Sequence, residues 1–370
     1  MTQASPLNRT GLFQSHVDLG AKMVPFAGWE MPLQYKGILA EAKAVRTGAG
    51  IFDVSHMGRL FISGPDAEAL LDKLLTANVP ALAVGRCRYC MICNETGGII
   101  DDVVIARLAP ERFLLVCNAA NRERVVAWAG NLIDDGTPNV KLDDRTRATS
   151  LIALQGPLAV AALLELLGRE TLEGPVTRSF GIAETTIDGE EAIISRTGYT
   201  GEDGVELVLS AEHGPLVWSR LMGLGASPCG LGSRDVLRLE AGLRLHGNDM
   251  HAETTPLEAG LERYVHMDGD FIGRSALLEQ QQTGLAKLLV GLKVQARSVA
   301  RHGYQLVHRG SPVGVITSGT FSPALNSSIA MGFVTPALAQ AGQLLDVDIR
   351  GELTPAEVVP LPFYSRKRAG

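Results

Sequence analysis

The stretch TGGIIDDVVIARL, residues 96–108, decides how the rest of the chain is read. Ile99 and Ile100 precede two adjacent carboxylates, and Val103, Val104 and Ile105 follow them. A run this apolar and β-branched predicts a buried strand. Neighbours on a strand alternate faces, so Asp101, Val103 and Ile105 share one side and Asp102, Val104 and Ala106 the other. A buried ionised carboxylate costs several kcal/mol without a partner, so such residues usually hold a donor, a cation or a substrate. The alternative has one Asp bonding the Gly97-Gly98 turn and the other solvated.

Outward from this strand, RLFIS (59–63), FLLVCN (113–118), SLIALQ (150–155), EAIISR (191–196) and VELVLS (205–210) read as further strands. Helices are predicted from about Ser63, with Ser63 as cap and Leu70, Leu71, Leu74 and Leu75 at helical spacing, and over 121–134. PLAVAALLELLG (157–168) is a third, opened by Pro157 and closed by Gly168. Residues 214–222 and 233–245 complete the set. This order gives no regular βαβ array, so the expected class is α+β with mostly antiparallel sheets. After about residue 285 short strands (KLLVGLKV, GVITSG, AMGFV, LLDVDIR) alternate with Gly, Pro and Ser turns. A separate all-β unit, a barrel or a sandwich, is expected there.

The 370 residues suit two or three domains, and 46% hydrophobic residues suit substantial cores. A net charge of −6 argues against a general nucleic-acid surface. The basic run Arg366-Lys367-Arg368 reads as a solvated tail. No stretch reaches the length of a membrane span, and the N-terminus lacks the pattern of a secretory signal, so a cytoplasmic location is expected. Cys87, Cys90 and Cys93 have a spacing seen at iron–sulfur sites, with Cys117 as an imaginable fourth ligand. On a strand, however, residues three apart face opposite sides, so buried hydrophobes rather than a metal site are expected. No disulfide is expected in a reducing compartment.

No phosphate loop, dinucleotide fingerprint, HExxH or GxSxG motif is present. His56 in FDVSHMG reads as an acid/base or as a His bonding its own loop. In GYTGEDGVEL (198–207), Glu206 sits inside a strand between Val205 and Leu207, where it wants a partner such as an N–H pair on a ligand. Arg234 and Arg238 share one face of an otherwise apolar helix. Arg238 suits an internal salt bridge, with Glu240 or another acid, and Arg234 could meet a ligand oxygen.

Together, FDVSHMG (52–58), GGIIDD (97–102), ALQGP (153–157), GYTGEDGVE (198–206), RDVLRLEAGL (234–243), GNDM…TTPLEAGL (247–261) and TSGTFSP (317–323) resemble the aminomethyltransferase (T-protein) family of the glycine cleavage system. GAKMVPFAGWEMPLQY (20–35) resembles it too, so the match spans nearly the whole chain. The resemblance implies three domains around a central hole for tetrahydrofolate, approximately 1–54 plus 142–248, 55–141 plus 249–284, and 285–370. It implies transfer of the aminomethyl carbon from the lipoylated H-protein to tetrahydrofolate, with ammonia and 5,10-methylenetetrahydrofolate as products. It places the catalytic carboxylate at Asp102, beside the folate amine, with Asp101 structural. It assigns the pterin to Glu206 and further folate contacts to Arg234, Tyr199, Met57, Leu114, Val116 and Asn118, with the tail Tyr364 near the folate. No metal is implied, and a monomer or weak oligomer is expected. Where relatives often carry an aromatic residue after TTPLEAGL, this chain has Glu262-Arg263-Tyr264.

Two alternatives share the fold: another folate-dependent demethylase, or a folate-binding protein without catalysis. The folate half of a flavin oxidase would need a dinucleotide fingerprint. The K-G-C-type signature of the non-enzymatic group is absent.

Overall fold

Three β assemblies organise the computed structural model, which describes residues 6–136, 139–295 and 298–366. A six-stranded sheet runs in the order Ile182–Ile187, Glu190–Ser195, Gly204–Ser210, Thr149–Gln155, Gly50–Asp53, Ser227–Pro228, and only the last pairing is parallel. A five-stranded antiparallel sheet runs Arg86–Cys93, Ile99–Ala109, Arg112–Cys117, Gly58–Ser63, Lys141–Asp144. Six strands between Leu288 and Val359 close into a barrel, which resolves the barrel-or-sandwich alternative.

The alternation of side chains explains how the first two sheets pack. Ile152, Leu154, Val205 and Leu207 face the helices Ala159–Leu167 and Gly214–Gly223, against Leu163 and Trp218. Leu151, Ala153 and Val208 face the other way and meet Ala106 and Leu114 of the five-stranded sheet. That second sheet turns Val103, Ile105 and Leu115 toward helices Ala67–Leu74 and Arg122–Gly136. The result is helices outside and two sheets within, with central strands such as Thr149–Gln155 and Gly50–Asp53 buried on both faces.

Several boundaries move. Ser63 ends a strand, and the next helix begins at Ala67. Asp66 occupies its cap position without capping it, because its carboxylate accepts the backbone N–H and side-chain amide of Asn139. The helix expected over 233–245 spans Leu231–Glu240 and stops before Gly242 (φ +65°). Lys141–Asp144 pairs with Gly58–Ser63, so the expected division at residue 142 cuts a strand of the five-stranded sheet. The antiparallel hairpin Lys22–Phe26/Trp29–Gln34 and strand Ile182–Ile187 were not anticipated as elements.

Arg238 fastens the barrel to the rest. It is buried on helix Leu231–Glu240 and donates to Asp249 Oδ2 (2.5 Å), Asp235 Oδ1 (2.8 Å) and Ser318 Oγ of the barrel (2.7 Å). Its acids are thus Asp249 and Asp235, whereas Glu240 pairs with Arg46 at 2.7 Å. Both side chains of the Arg238–Asp249 pair are at most 1% exposed. Removing one member leaves a buried charge, so Asp249→Ala is expected to cost about 3–5 kcal/mol. The readout is thermal unfolding, with Tm lowered by about 10 °C. A drop of about 1 °C or less would show that the pair does not hold the barrel in place.

Candidate functional site

A cavity of about 770 Å³ lies where the two sheets, the hairpin, helix Leu231–Glu240 and the C-terminal segment converge. Asp102 reaches it because of the turn that starts its strand. Gly98 presses against the loop after Met250: a Cβ there would lie 1.8 Å from the carbonyl oxygen of Ala252. The Ile99 N–H then donates to Thr254 O at 2.9 Å, clipping the strand to that loop. This anchoring sets which carboxylate faces which way.

Asp101 turns to the helix-covered side and is fully buried. Its Oδ2 accepts the Asn118 N–H (2.9 Å), and its Oδ1 accepts the side-chain amides of Asn118 (2.8 Å) and Asn121 (2.6 Å). Asp102 turns to the cavity, accepting the Tyr89 hydroxyl at 3.0 Å and Asn118 Nδ2 at 2.7 Å. One amide therefore bridges both carboxylates. Burial, first of all, raises both pKa values above the ordinary carboxylate range. The Asp102 charge adds to the rise at Asp101, while His246, Tyr89 and Asn118 oppose the rise at Asp102. Every partner of Asp101 is an N–H, which cannot accept a proton.

On the facing sheet, Glu206 accepts a hydrogen bond from the Thr197 hydroxyl through Oε2 and lines the same cavity. Arg234 lays its guanidinium over the Tyr199 ring, 4.9 Å from the centroid, and its Nη1 has no hydrogen-bond partner among the described residues. Burial lowers the Arg234 pKa, and Glu206 and Tyr199 oppose that shift. The Tyr199 hydroxyl donates to the Arg244 carbonyl. Met57, Val116 and Asn118 also line the wall.

Two expected site residues sit elsewhere. Leu114 shares a strand face with Val116, but the six-stranded sheet covers it and it is 2% exposed. Tyr364 stacks under Arg46 at 4.0 Å and its N–H donates to Glu240 O, so Leu361 and Pro362 meet the cavity instead. Of the basic tail, Arg366 lies 3.4 Å from Asp203, and Lys367 and Arg368 fall outside the described residues. His56 lines the cavity edge-on to Phe26, with Nδ1 unpartnered among the described residues rather than bonded to its loop. Burial pushes its pKa down to about 4, which keeps the ring neutral at neutral pH.

Tyr89, Asn121 and His246 are among the wall residues that escaped the sequence reading. Tyr89 was reachable by counting register, since it faces Val104 and lies diagonally across from Asp102. Asn121 donates to both Asp101 and His246 Nδ1 (3.0 Å), and His246 Nε2 lies 3.1 Å from Ile99 O. Those partners fix the proton on Nε2. Nothing local in the sequence signals either residue. Cys87, Cys90 and Cys93 enter three different cores, as free thiols. Burial pushes the Cys87 and Cys93 thiols up to about 12. Among the described residues no group of three or more His, Cys, Asp or Glu could hold a metal ion, and no helix is long and apolar enough to cross a membrane.

A concave cavity lined by apolar side chains with a few converging polar groups has the form of a small-molecule site. Residues 12–269 match the model of the GCVT N-terminal domain, and residues 287–365 match the glycine cleavage T-protein C-terminal barrel domain. The aminomethyltransferase of Rubrobacter xylanophilus is 48% identical, over 98% of this chain and 95% of its own. That of a Thermotoga species is 46% identical, over 97% and 98%. The crystal structure of the glycine cleavage system aminomethyltransferase T from Bartonella henselae superposes with a TM-score of 0.90 at 37% identity, covering 97% of this chain and 98% of that one. The chain belongs to the aminomethyltransferase family of the glycine cleavage system, the T-proteins.

Proposed function

We propose that this chain transfers the one-carbon unit from the aminomethyl-dihydrolipoyl arm of the H-protein to tetrahydrofolate. Ammonia leaves, with 5,10-methylenetetrahydrofolate and the dihydrolipoyl carrier as the other products. The observation that carries this reading is the opposition, across one cavity, of Asp102 on one sheet and Glu206 on the other.

The carbon loses its bonds to sulfur and to the amino nitrogen and gains two bonds to folate nitrogens. Two folate N–H protons are lost; one ends on ammonia and the other on the carrier thiol. An arylamine is a weak nucleophile, so it needs positioning and one nearby acceptor more than a strong base. Asp102 is that acceptor, aimed by Asn118 and Tyr89. Glu206 suits the amino group and ring N–H of the pterin through two parallel charge-assisted bonds, while Thr197 holds its carboxylate in place. Arg234, with an unpartnered Nη1, offers a donor to a substrate oxygen. Met57, Val104 and Val116 give the cavity an apolar wall, which limits water around the reactive methylene.

The direct test supplies purified protein with tetrahydrofolate and aminomethyl-loaded H-protein, and follows ammonia and methylenetetrahydrofolate together. Folate-dependent formation of both is expected. Tight folate binding without turnover would instead favour another one-carbon donor or a binding role.

Tyr89→Phe gives a finer check. Its hydroxyl holds the Asp102 carboxylate down, so its loss pushes that pKa further up. The rise of kcat with pH is expected to move to higher pH, and kcat at neutral pH to fall about tenfold. An unchanged pH profile would show that Tyr89 only fills space.

A further inference from the structure

The transfer removes two protons from the folate, and Asp102 is placed to take the one at N10. A second base lines the same cavity. His56 is buried, and its Nδ1 has no hydrogen-bond partner among the described residues. An unpartnered imidazole nitrogen in a buried wall lowers stability, so a polar group of a ligand is its natural partner.

The loop that carries His56 is held on both sides of it. Asp53 Oδ1 accepts the Ser55 N–H at 2.9 Å. The fully buried Arg59 donates through Nη1 to Ser55 O at 2.8 Å and also to Met57 O. The Phe26 ring of the hairpin meets the imidazole edge to face, with ring centroids 5.5 Å apart. Burial, joined by the Arg234 and Arg59 charges, lowers the His56 pKa to about 4 against the opposing pull of Asp53. At neutral pH one ring nitrogen therefore carries a free lone pair.

Arg234 neighbours both His56 and Glu206. Its Nη2 lies 4.0 Å from the Sδ of Met57, the residue after His56, and its charge acts on His56 as that of Glu206 acts on it. The edge of a reduced pterin presents its groups in a matching order: the 2-amino group and N3–H, then O4, then N5–H, with N10 on the side chain beyond.

We propose that His56 accepts the N5 proton and is a second catalytic residue of the transfer. The inference rests on the folate reading above. With the 2-amino group and N3–H on Glu206 and O4 on Arg234, N5–H falls to His56 and N10 to Asp102. As the carbon bonds to N5, that nitrogen becomes cationic. The N5–H bond then breaks and its electron pair stays on N5. The proton passes to His56 and on to the carrier sulfur, which left as a thiolate. The N10 proton goes by way of Asp102 to ammonia. A weak base suffices at N5, because a cationic nitrogen is a far stronger acid than a neutral amine.

The test measures equilibrium binding of tetrahydrofolate and of 5-deazatetrahydrofolate, in which a methylene replaces N5–H and the other polar groups remain. The wild type is expected to bind tetrahydrofolate about tenfold more tightly. His56→Leu is expected to bring the two affinities within about twofold, by weakening tetrahydrofolate alone, and to lower kcat for aminomethyl transfer about 100-fold. His56→Asn keeps an acceptor near the Nδ1 position but not a base. It is expected to retain much of the binding preference and still to lose kcat, and it decides the matter if His56→Leu does not fold. Equal affinities of the wild type for the two folates, or an undiminished preference in His56→Leu, overturn the proposal. So does a wild-type kcat in His56→Asn. Failure of the wild type to bind either folate overturns the folate reading itself, and this proposal with it.

Discussion

Asp102→Asn is expected to reduce ammonia release by about 10²–10⁴-fold while tetrahydrofolate still binds. The substitution keeps the size of the side chain, with its oxygen accepting from Asn118 and its NH2 donating to the Tyr89 oxygen in a reversed bond, but removes the acceptor for the folate proton. Wild-type activity should rise with pH through an apparent pKa above the ordinary carboxylate range, because Asp102 acts as the carboxylate and burial resists its ionisation. The same variant carries a stability signature of opposite sign. A carboxyl whose folded pKa is raised stabilises fully below its unfolded pKa of about 4, and that stability is lost as pH rises through the folded value. Both Asp101 and Asp102 are raised, so the wild type should lose stability from about pH 4 upward. Without the neighbouring charge Asp101 ionises more readily, and the decline in Asp102→Asn should be shallower. Tm measured across pH at constant ionic strength decides this. A variant that is less active and also equally pH-sensitive in Tm would contradict the coupled-pair account.

Glu206→Gln is expected to weaken tetrahydrofolate binding about 100-fold, with kcat at saturating folate changed only a few-fold. A carboxylate accepts two parallel N–H groups, whereas a Gln offers one acceptor and presents a donor to the second. Glu206 is half-buried and its own contact is the Thr197 hydroxyl, which a Gln can still accept. The fold should therefore survive, and unchanged thermal unfolding is the control. Folate affinity within about threefold of wild type would mean that the pterin does not rest on Glu206. A matched loss of kcat would place Glu206 beside the reacting centre rather than at the anchoring end.

The two carboxylates also show where sequence reasoning holds and where it stops. Alternation along Ile99–Ala109 separates Asp101 from Asp102 correctly, because the period of a strand is local and steric. Which face is core and which is cavity depends on what packs against it. Val104 and Val116 border the cavity, but Leu114, two residues from Val116 on the same face, is sealed by the six-stranded sheet. The helix start behaved similarly. Asp66 could have capped the helix at Ala67, yet Asn139, 73 positions away, takes its carboxylate. Tyr364 follows the same rule: the tail reaches the cavity with Leu361 and Pro362, and Arg46 captures the tyrosine ring.

By itself the sequence determined the α+β class, the separate C-terminal β unit, the opposed faces of the aspartate pair and the strand-interior position of Glu206. All of these follow from short-range periodicity, turn residues and motif order. Only the tertiary structure decided that Asn118 bridges both carboxylates and that Tyr89 and His246 belong to the site. It also gathered Arg86, Arg88 and Arg263, none with an ion pair among the described residues, along one surface groove. Those contacts join residues up to 147 positions apart, and their geometry depends on how two sheets pack face to face. Sequence patterns of period 2 or 3.6 carry no information about that packing.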